Sequence, residues 1–416
     1  MMENFEINSN QIDKIKQISA EEKKFRIKNL ELFKAAGFPN KKLEDWKFTD
    51  FKNIIDKNFD KLNTEKVESD IGKINFIKDF EHNYILLVNG KLHSSNFVHE
   101  EKNKIKIKSF DKSIDHKIDK NPLVCLNHAL AENGYSLEVV KNYKFKKVIV
   151  VYNFFTKNIK NNILNTKNKI KINENSELHI IEYTINESKF KFINNVYENL
   201  ILEKNSKVKN LVIQSNKSDG FFHKFLKTEL FFNSDYSNLI FSSGLRFNKI
   251  DIECDLIEEK SKCNILSALY LKENEHQEIK TLINHLAPNC KSNQKVKNIL
   301  NDESKGVYQG KIYVKNIAQK TDAYQLSKAL LLKENTEFNS KPELEIYADD
   351  VKCSHGSSSG NVDRESIHYL MTRGLTREDS IKLLIKGFLN DVIEFIKSPT
   401  IKKLVETKLE NQINGY

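Results

Sequence analysis

No stretch of this 416-residue chain is apolar for long enough to cross a bilayer as a helix, which takes about 18 consecutive residues. The start, MMENFEINSNQ, carries acids where a secretory leader would carry a basic and then an apolar segment. The expectation is a cytoplasmic protein with no membrane partner. The five cysteines (Cys125, Cys254, Cys263, Cys290 and Cys353) form no CxxC pair, and their odd number leaves at least one unpaired in any disulfide scheme, which fits a reducing compartment. Arginine is scarce. The net charge of +10 comes almost wholly from lysine, with arginine only at positions 26, 246, 364, 373 and 377. Sequence readout of DNA leans on arginine forks, so no nucleic-acid partner is expected despite a pI near 9.0.

Signatures of ordinary enzymes are missing too. GVYQGKIYV at 306–314 has the glycines and lysine of a phosphate loop, but only three residues separate the glycines, Ile312 stands where a magnesium-binding Ser or Thr belongs, and a strand pattern follows. There is no dinucleotide fingerprint, nucleophile elbow or HExxH. The chain is expected to be no enzyme and to hydrolyse no ATP by itself.

A chain of this length exceeds one compact core, and three textures divide it. Residues 1–140 read as a mostly helical region, with a helix in SAEEKKFRIKNLELFKAAGF stopped at Gly37 and a lone Trp46 in LEDWKFTD that suits a core or interdomain anchor. Residues 141–360 read as many short strands, among them KVIVVYNFF, SELHIIEYTI and ELEIYADD. Polar Asn-Ser corners followed by alternating apolar residues recur at Asn175 and Asn205, with weaker echoes at Lys260 and Asn335, which favours stacked coils over a two-sheet sandwich. Residues 361–416 turn helical. Asp363 is placed to cap a helix ending at Gly374, Thr376 with Asp379 makes a capping box, and Ser398-Pro399 opens a further helix. Ile381, Leu384, Ile385, Phe388, Val392 and Ile396 give the middle helix one apolar face.

Cys353 and His355 lie at the end of the last strand-like unit. Residues two apart on a strand share a face, so thiolate and imidazole would project together as half of a site for iron, zinc or an iron–sulfur cluster. The bland alternative is a packed cysteine and a hydrogen-bonded histidine. His128, His223, His276 and His285 read as structural or surface imidazoles.

The block from Gly306 to Ile393, together with LEDWKFTD and LVCLNHALAENG at 123–134, closely resembles the SufB/SufD family of iron–sulfur cluster assembly scaffolds across nearly the whole chain. Within it, CSHG with Gly356 after the histidine resembles the SufD branch; SufB typically carries glutamate there. The resemblance implies a right-handed parallel β-helix between helical flanks, pairing with a SufB-like paralogue through the β-helix ends, and binding of the ABC-type ATPase SufC by the C-terminal helices, in the region of Arg373, Ile381, Leu384 and Phe388. The implied complex holds one SufB, one SufD and two SufC. It also implies that Cys353 and His355 stand at the interface with SufB, where a transient shared cluster forms, with no cofactor held stably by the isolated chain. The isolated chain could instead pair with itself, and the sequence does not speak to flavin. Where the family commonly shows aspartate, this chain has Glu278, to which no chemical role is assigned. The rival readings are a SufB-type paralogue, an enzyme with its own metal centre on Cys353, His355 and a carboxylate such as Asp350, and a basic adaptor.

Overall fold

The computed structural model describes residues 5, 9–15, 18–64, 67, 71–72, 74–110 and 120–414. Helices α1 (Ser9–Asp13), α2 (Ala20–Ala36) and α3 (Phe51–Asn58) come first, then strands β1 (Asn83–Val88), β2 (Lys91–Asn96) and β3 (Ile105–Ser109), helix α4 (Pro122–Leu130) and β4 (Tyr135–Val139). Next come β5 (Ile149–Phe155), β6 (Ile163–Ile172), β7 (Glu177–Asn186), β8 (Ile193–Leu202), β9 (Lys207–Gln214), β10 (Ser218–Leu230), β11 (Asp235–Ser242) and β12 (Leu245–Leu256). The last strands are β13 (Lys262–Leu271), β14 (His276–His285), β15 (Lys291–Leu300), β16 (Lys305–Val314), β17 (Thr321–Leu331), β18 (Glu337–Ile346) and β19 (Val351–Asn361), followed by α5 (Arg364–Thr372), α6 (Arg377–Ile393) and α7 (Pro399–Ile413).

From β4 onward each strand pairs in parallel with the strand two further on, so successive strands alternate between two sheets. One sheet runs β19-β17-β15-β13-β11-β9-β7-β5-β1-β2 and the other β18-β16-β14-β12-β10-β8-β6-β4-β3. This is a parallel β-solenoid, and the parallel register rules out the sandwich. The sheets begin earlier than the strand texture suggests: β1, inside the region read as mostly helical, already pairs with β5 through Asn83 to Val88. At the other end β19 stops at Asn361 and α5 starts at Arg364, close to the change of texture at 361.

The Asn-Ser corners have a local cause. Asn142, Asn175, Asn205 and Asn233 all take left-handed backbone, at φ 60, 57, 57 and 53, which asparagine tolerates better than most residues. Each side-chain amide donates to the asparagine one coil below, Asn175 to Asn142 at 2.8 Å, Asn205 to Asn175 at 2.9 Å and Asn233 to Asn205 at 2.8 Å, across sequence separations of 33, 30 and 28. The serine that follows turns inward and bonds a carbonyl, as Ser206 Oγ does to Glu203 O at 2.6 Å. Lys260, Asn289 and Lys320 continue the left-handed row. Asn335 does not belong to it; it lies in the turn between β17 and β18.

Three hydrophobic cores follow from this stack. One fills the space between the sheets, for example Ile180, Val212 and Ile240 against Leu200 and Ile252. The outer face of the first sheet is covered by Ile381, Ile385, Leu389, Val392 and Val405 of α6 and α7. The outer face of the second is covered by the N-terminal helices, with Leu30, Phe33, Trp46 and Phe51 over Ile193, Phe221 and Phe247. The expected caps form: Asp363 accepts from Glu365 N and Ser366 N, and Thr376 from Asp379 N, while Pro399 is the first helical residue after Ser398; α2 is capped in the same way by Ser19, which accepts from Glu22 N.

Trp46 is an anchor, 1% exposed. Lys249 Nζ lies 4.7 Å from its ring centroid and donates to the Asp45 carbonyl at 3.1 Å while pairing with Asp251 at 3.1 Å and with Glu278. Glu278 also accepts from Thr49 Oγ1 at 2.6 Å and Gln309 Nε2 at 2.9 Å. Its carboxylate thus fastens the N-terminal segment to the solenoid.

The ladder predicts that Asn205→Ala, which loses both amide bonds and places alanine at positive φ, lowers stability by about 1–2 kcal/mol. Asn205→Gly keeps the backbone freedom and should cost less. Denaturant midpoints of the two variants check the order; equal midpoints with the wild type would show that the ladder contributes nothing.

Candidate functional site

At the N-terminal end of the stack, β2 and β3 pair antiparallel with β1 and β4, which ends the parallel coiling, and Leu92, Phe97, Ile105 and Ile107 pack on the inner core. At the C-terminal end the parallel coiling runs up to the edge strands β18 and β19, and among the described residues no antiparallel strand follows them. Cys353 and His355 lie on β19, opposite Ala323 and Gln325 of β17, and Ser357 lies opposite Ser327. Ala323, Gln325 and Ser327 belong to the buried inner row, at 0%, 2% and 0% exposure. Cys353, His355 and Ser357 therefore extend that inner row by one coil with no further coil over it. The strand keeps its geometry beyond His355, so the shared face expected for the pair holds.

The two positions differ in surroundings. Cys353 is half-buried in a small apolar cluster with Ile312, Val314, Ala318, Ala323 and Ala348, whereas His355 is exposed. Burial and, secondarily, the Asp322 carboxylate push the Cys353 thiol above its ordinary range. It is a protonated thiol at neutral pH, and a soft metal must displace that proton to bind. On the facing edge strand, Ser340 Oγ lies 2.7 Å from Ser327 Oγ, which donates to Ser357 Oγ at 3.0 Å, so hydroxyls join β17, β18 and β19 across the open end. Below His355, Gln325 accepts from the Tyr308 hydroxyl at 3.2 Å and donates to Glu343 O at 3.2 Å. A Cβ at Gly310 would collide with the Tyr308 hydroxyl and Gln325 Oε1, so the second glycine of the phosphate-loop look-alike serves packing inside a strand, and its Lys311 pairs with Glu345.

Among the described residues no group of three or more His, Cys, Asp or Glu side chains converges on a point. Asp350, the carboxylate of the metal-enzyme reading, sits in the corner before β19, where its carbonyl accepts from Lys320 N at 2.6 Å and its N–H donates to Gln319 Oε1 at 2.9 Å. His128, His223, His276 and His285 pack inside the fold. His223 Nδ1 lies 2.8 Å from Asn195 Oδ1, His276 Nε2 lies 3.1 Å from Thr49 Oγ1, and His285 Nε2 lies 2.9 Å from Ser292 Oγ. Burial pulls His276 and His285 down to about 4, and His128 well below its ordinary value, so all three are neutral.

Of the four positions named on the C-terminal helices, only Arg373 is exposed; it lies over Tyr369, 5.2 Å from the ring centroid. Ile381 is 3% exposed and, with the half-buried Leu384 and Phe388, packs α6 onto the first sheet. The apolar stripe of α6, Ile381 included, is thus spent on the solenoid. The outward apolar residues here are Tyr369, Met371, Leu375 and Leu383. Around the open end they are Ile317, Tyr324, Ile346 and Tyr347. Sequence reading missed both sets; exposure of such side chains becomes visible only once the face that packs is known.

Two family models match the chain, one described as SUF system FeS cluster assembly, SufBD core domain, over residues 154–388, and one as SufBD protein N-terminal region, over residues 2–151. The chain is 24% identical over 396 residues to the iron-sulfur cluster assembly protein SufD of Escherichia coli, covering 91% of this chain and 90% of that protein. It is 29% identical over 205 residues to an iron-sulfur cluster assembly SufBD family protein of Synechocystis, covering 49% of this chain and 45% of the relative. To protein ABCI7, chloroplastic, of Arabidopsis thaliana it is 28% identical over 250 residues, covering 59% and 51%.

The environments of the thiols predict native-state alkylation at Cys353 alone, since the other four cysteines are buried. Because the thiol is held up, its rate should still be climbing at the pH where a free cysteine has levelled off. Mass spectrometry after brief iodoacetamide treatment reads this; a first adduct on Cys125, Cys254, Cys263 or Cys290 would contradict it.

Proposed function

We propose a function from the premise that the chain belongs to the SufB/SufD family: it is a scaffold subunit for iron–sulfur cluster assembly, SufD-like, that does no covalent chemistry of its own. The observation that carries this reading is the open end of the solenoid, where two edge strands and an uncovered inner row with Cys353 and His355 are left for a second chain. Unpaired edges are templates for strand addition, and exposed Tyr324, Ile346 and Tyr347 around them suit a protein interface. A SufB-like paralogue is the partner we assign to this end; it supplies the donors the half-site lacks, and the nascent cluster is cargo held between the two chains. The ATPase SufC is assigned to the outward face of α5 and α6, and its cycle supplies the conformational work. The setting is cytoplasmic, in keeping with the absence, among the described residues, of any helix long and apolar enough to cross a membrane.

His355→Ala tests the half-site. His355 is exposed, so the change should alter stability by no more than about 0.5 kcal/mol. The complex with the SufB-like chain and the ATPase should assemble in normal proportions and fail to form a cluster on anaerobic reconstitution, followed by visible absorption. A full cluster spectrum in a complex of normal composition would sink the assignment.

The ATPase surface needs point changes, because truncation before α5 would strip the helices that cover the first sheet. Tyr369→Ser with Leu383→Ser alters two side chains that are 57% and 49% exposed. Capture of the ATPase should weaken at least about tenfold while pairing with the SufB-like chain persists. Unchanged capture would place the contact elsewhere.

A further inference from the structure

The α6–α7 elbow does not seal onto the sheet beneath it. Between them lies a cavity of about 160 Å³ whose floor is Leu211 of β9 and Leu239 of β11 and whose roof is Phe395 and Ile401. Cavities on the order of 150 Å³ lined by Leu, Ile and Phe take up a benzene-sized guest. This one differs in its rim. Lys209 of β9 and Lys397 of the elbow both line it, and no carboxylate does.

Neither lysine has a salt bridge among the described residues. Lys397 Nζ reaches only the Glu394 carbonyl, at 3.3 Å, while the Glu394 carboxylate is taken by Lys402 at 2.5 Å. Lys209 stands beside His179 of β7, which also lines the cavity and lies 3.3 Å from the Glu177 carboxylate. A mainly apolar pocket that also carries the His179 imidazole and the polar Asn210, Ser237 and Ser398, with two ammonium groups outside any salt bridge at its mouth, selects for a guest with an apolar body and one negative end.

We propose that the space under the α6–α7 elbow is a binding site for a small monocarboxylate whose body is a single aromatic ring or a short acyl chain. The apolar part fills the gap between Leu239 and Phe395, and the carboxylate meets Lys209 and Lys397. Occupancy joins the elbow to β9 and β11 through one guest, so it holds the start of α7 against the solenoid.

The test uses the full chain, with benzoate and hexanoate as probes and hexylamine and hexanol as charge controls, followed by titration calorimetry. The two carboxylates should bind saturably at one site, and hexylamine should not bind. The double variant K209Q/K397Q changes only rim residues, so it should fold, and its affinity for both carboxylates should fall about tenfold or more. Leu239→Trp, which fills the floor, should abolish binding in a chain whose circular dichroism is unchanged. Carboxylates that bind no better than hexanol, or an unchanged affinity in K209Q/K397Q, would overturn the proposal.

Discussion

Every coil of this protein is stable because another coil covers it. In a parallel stack, backbone groups of one strand are satisfied by the strands above and below, and inner side chains are dry only between neighbours. The stack therefore has a problem at each end and on each outer face. The outer faces are solved by helices, with Phe33 and Phe51 on one side and Ile385 and Leu389 on the other. The first end is solved by turning β2 and β3 antiparallel, which stops the ladder. Among the described residues the last end is left open, so the half-buried Cys353 and the exposed His355 and Ser357 lie on the inner row where a side chain can reach outside.

Covering coils with coils does not demand an apolar interior throughout. Lys224 Nζ on β10 crosses between the sheets to Glu182 of β7 at 2.8 Å and pairs within its own sheet with Glu198 of β8 at 2.9 Å. Thr281, Gln294, Tyr308 and Gln325 form a hydrogen-bonded column toward the open end. Such groups add little net stability, since desolvation offsets the attraction, but each is costly if left alone. A coil slipped by one residue would turn this set outward and strand its partners, so the polar pairs fix register where a uniform apolar row would permit slippage. The Lys249, Glu278 and Trp46 contact extends the same logic to the N-terminal segment, which fits the solenoid in one position only.

Legibility in the sequence followed this division. The helix caps at Asp363, Thr376 and Ser398 were readable because one side chain decides each. The corners at Asn175 and Asn205 were readable because left-handed backbone restricts residue choice. Strand β15, KSNQKVKNIL, was not, because its inward Gln294 and Asn298 are polar and give no alternation of apolar and polar residues. β1 was legible and was passed over: Asn89-Gly90, both in left-handed backbone, is the two-residue turn that joins it to its antiparallel neighbour β2, while its other partner β5 lies beyond α4 in the chain. For the site, the shared face of Cys353 and His355 follows from strand periodicity alone, but the lack of a covering coil, and the burial that separates the thiol from the imidazole, depend on where the stack stops.

An open end is also a thermodynamic device under the proposed function. A closed set of about four donors holds soft metals too firmly for a carrier to give them up, whereas two donors on one chain bind weakly alone. The raised Cys353 thiol weakens the half-site further, because binding must expel a proton first. Affinity then belongs to the pair of chains and varies with the geometry between their edges. A small rotation of one edge strand against the other separates the donors while leaving each solenoid intact, since the coils behind β19 are held by β17 and β15 rather than by the partner. The energy required is that of breaking a few edge contacts, well below that of unfolding a coil, and it falls within what a nucleotide-driven partner on α5 and α6 could supply.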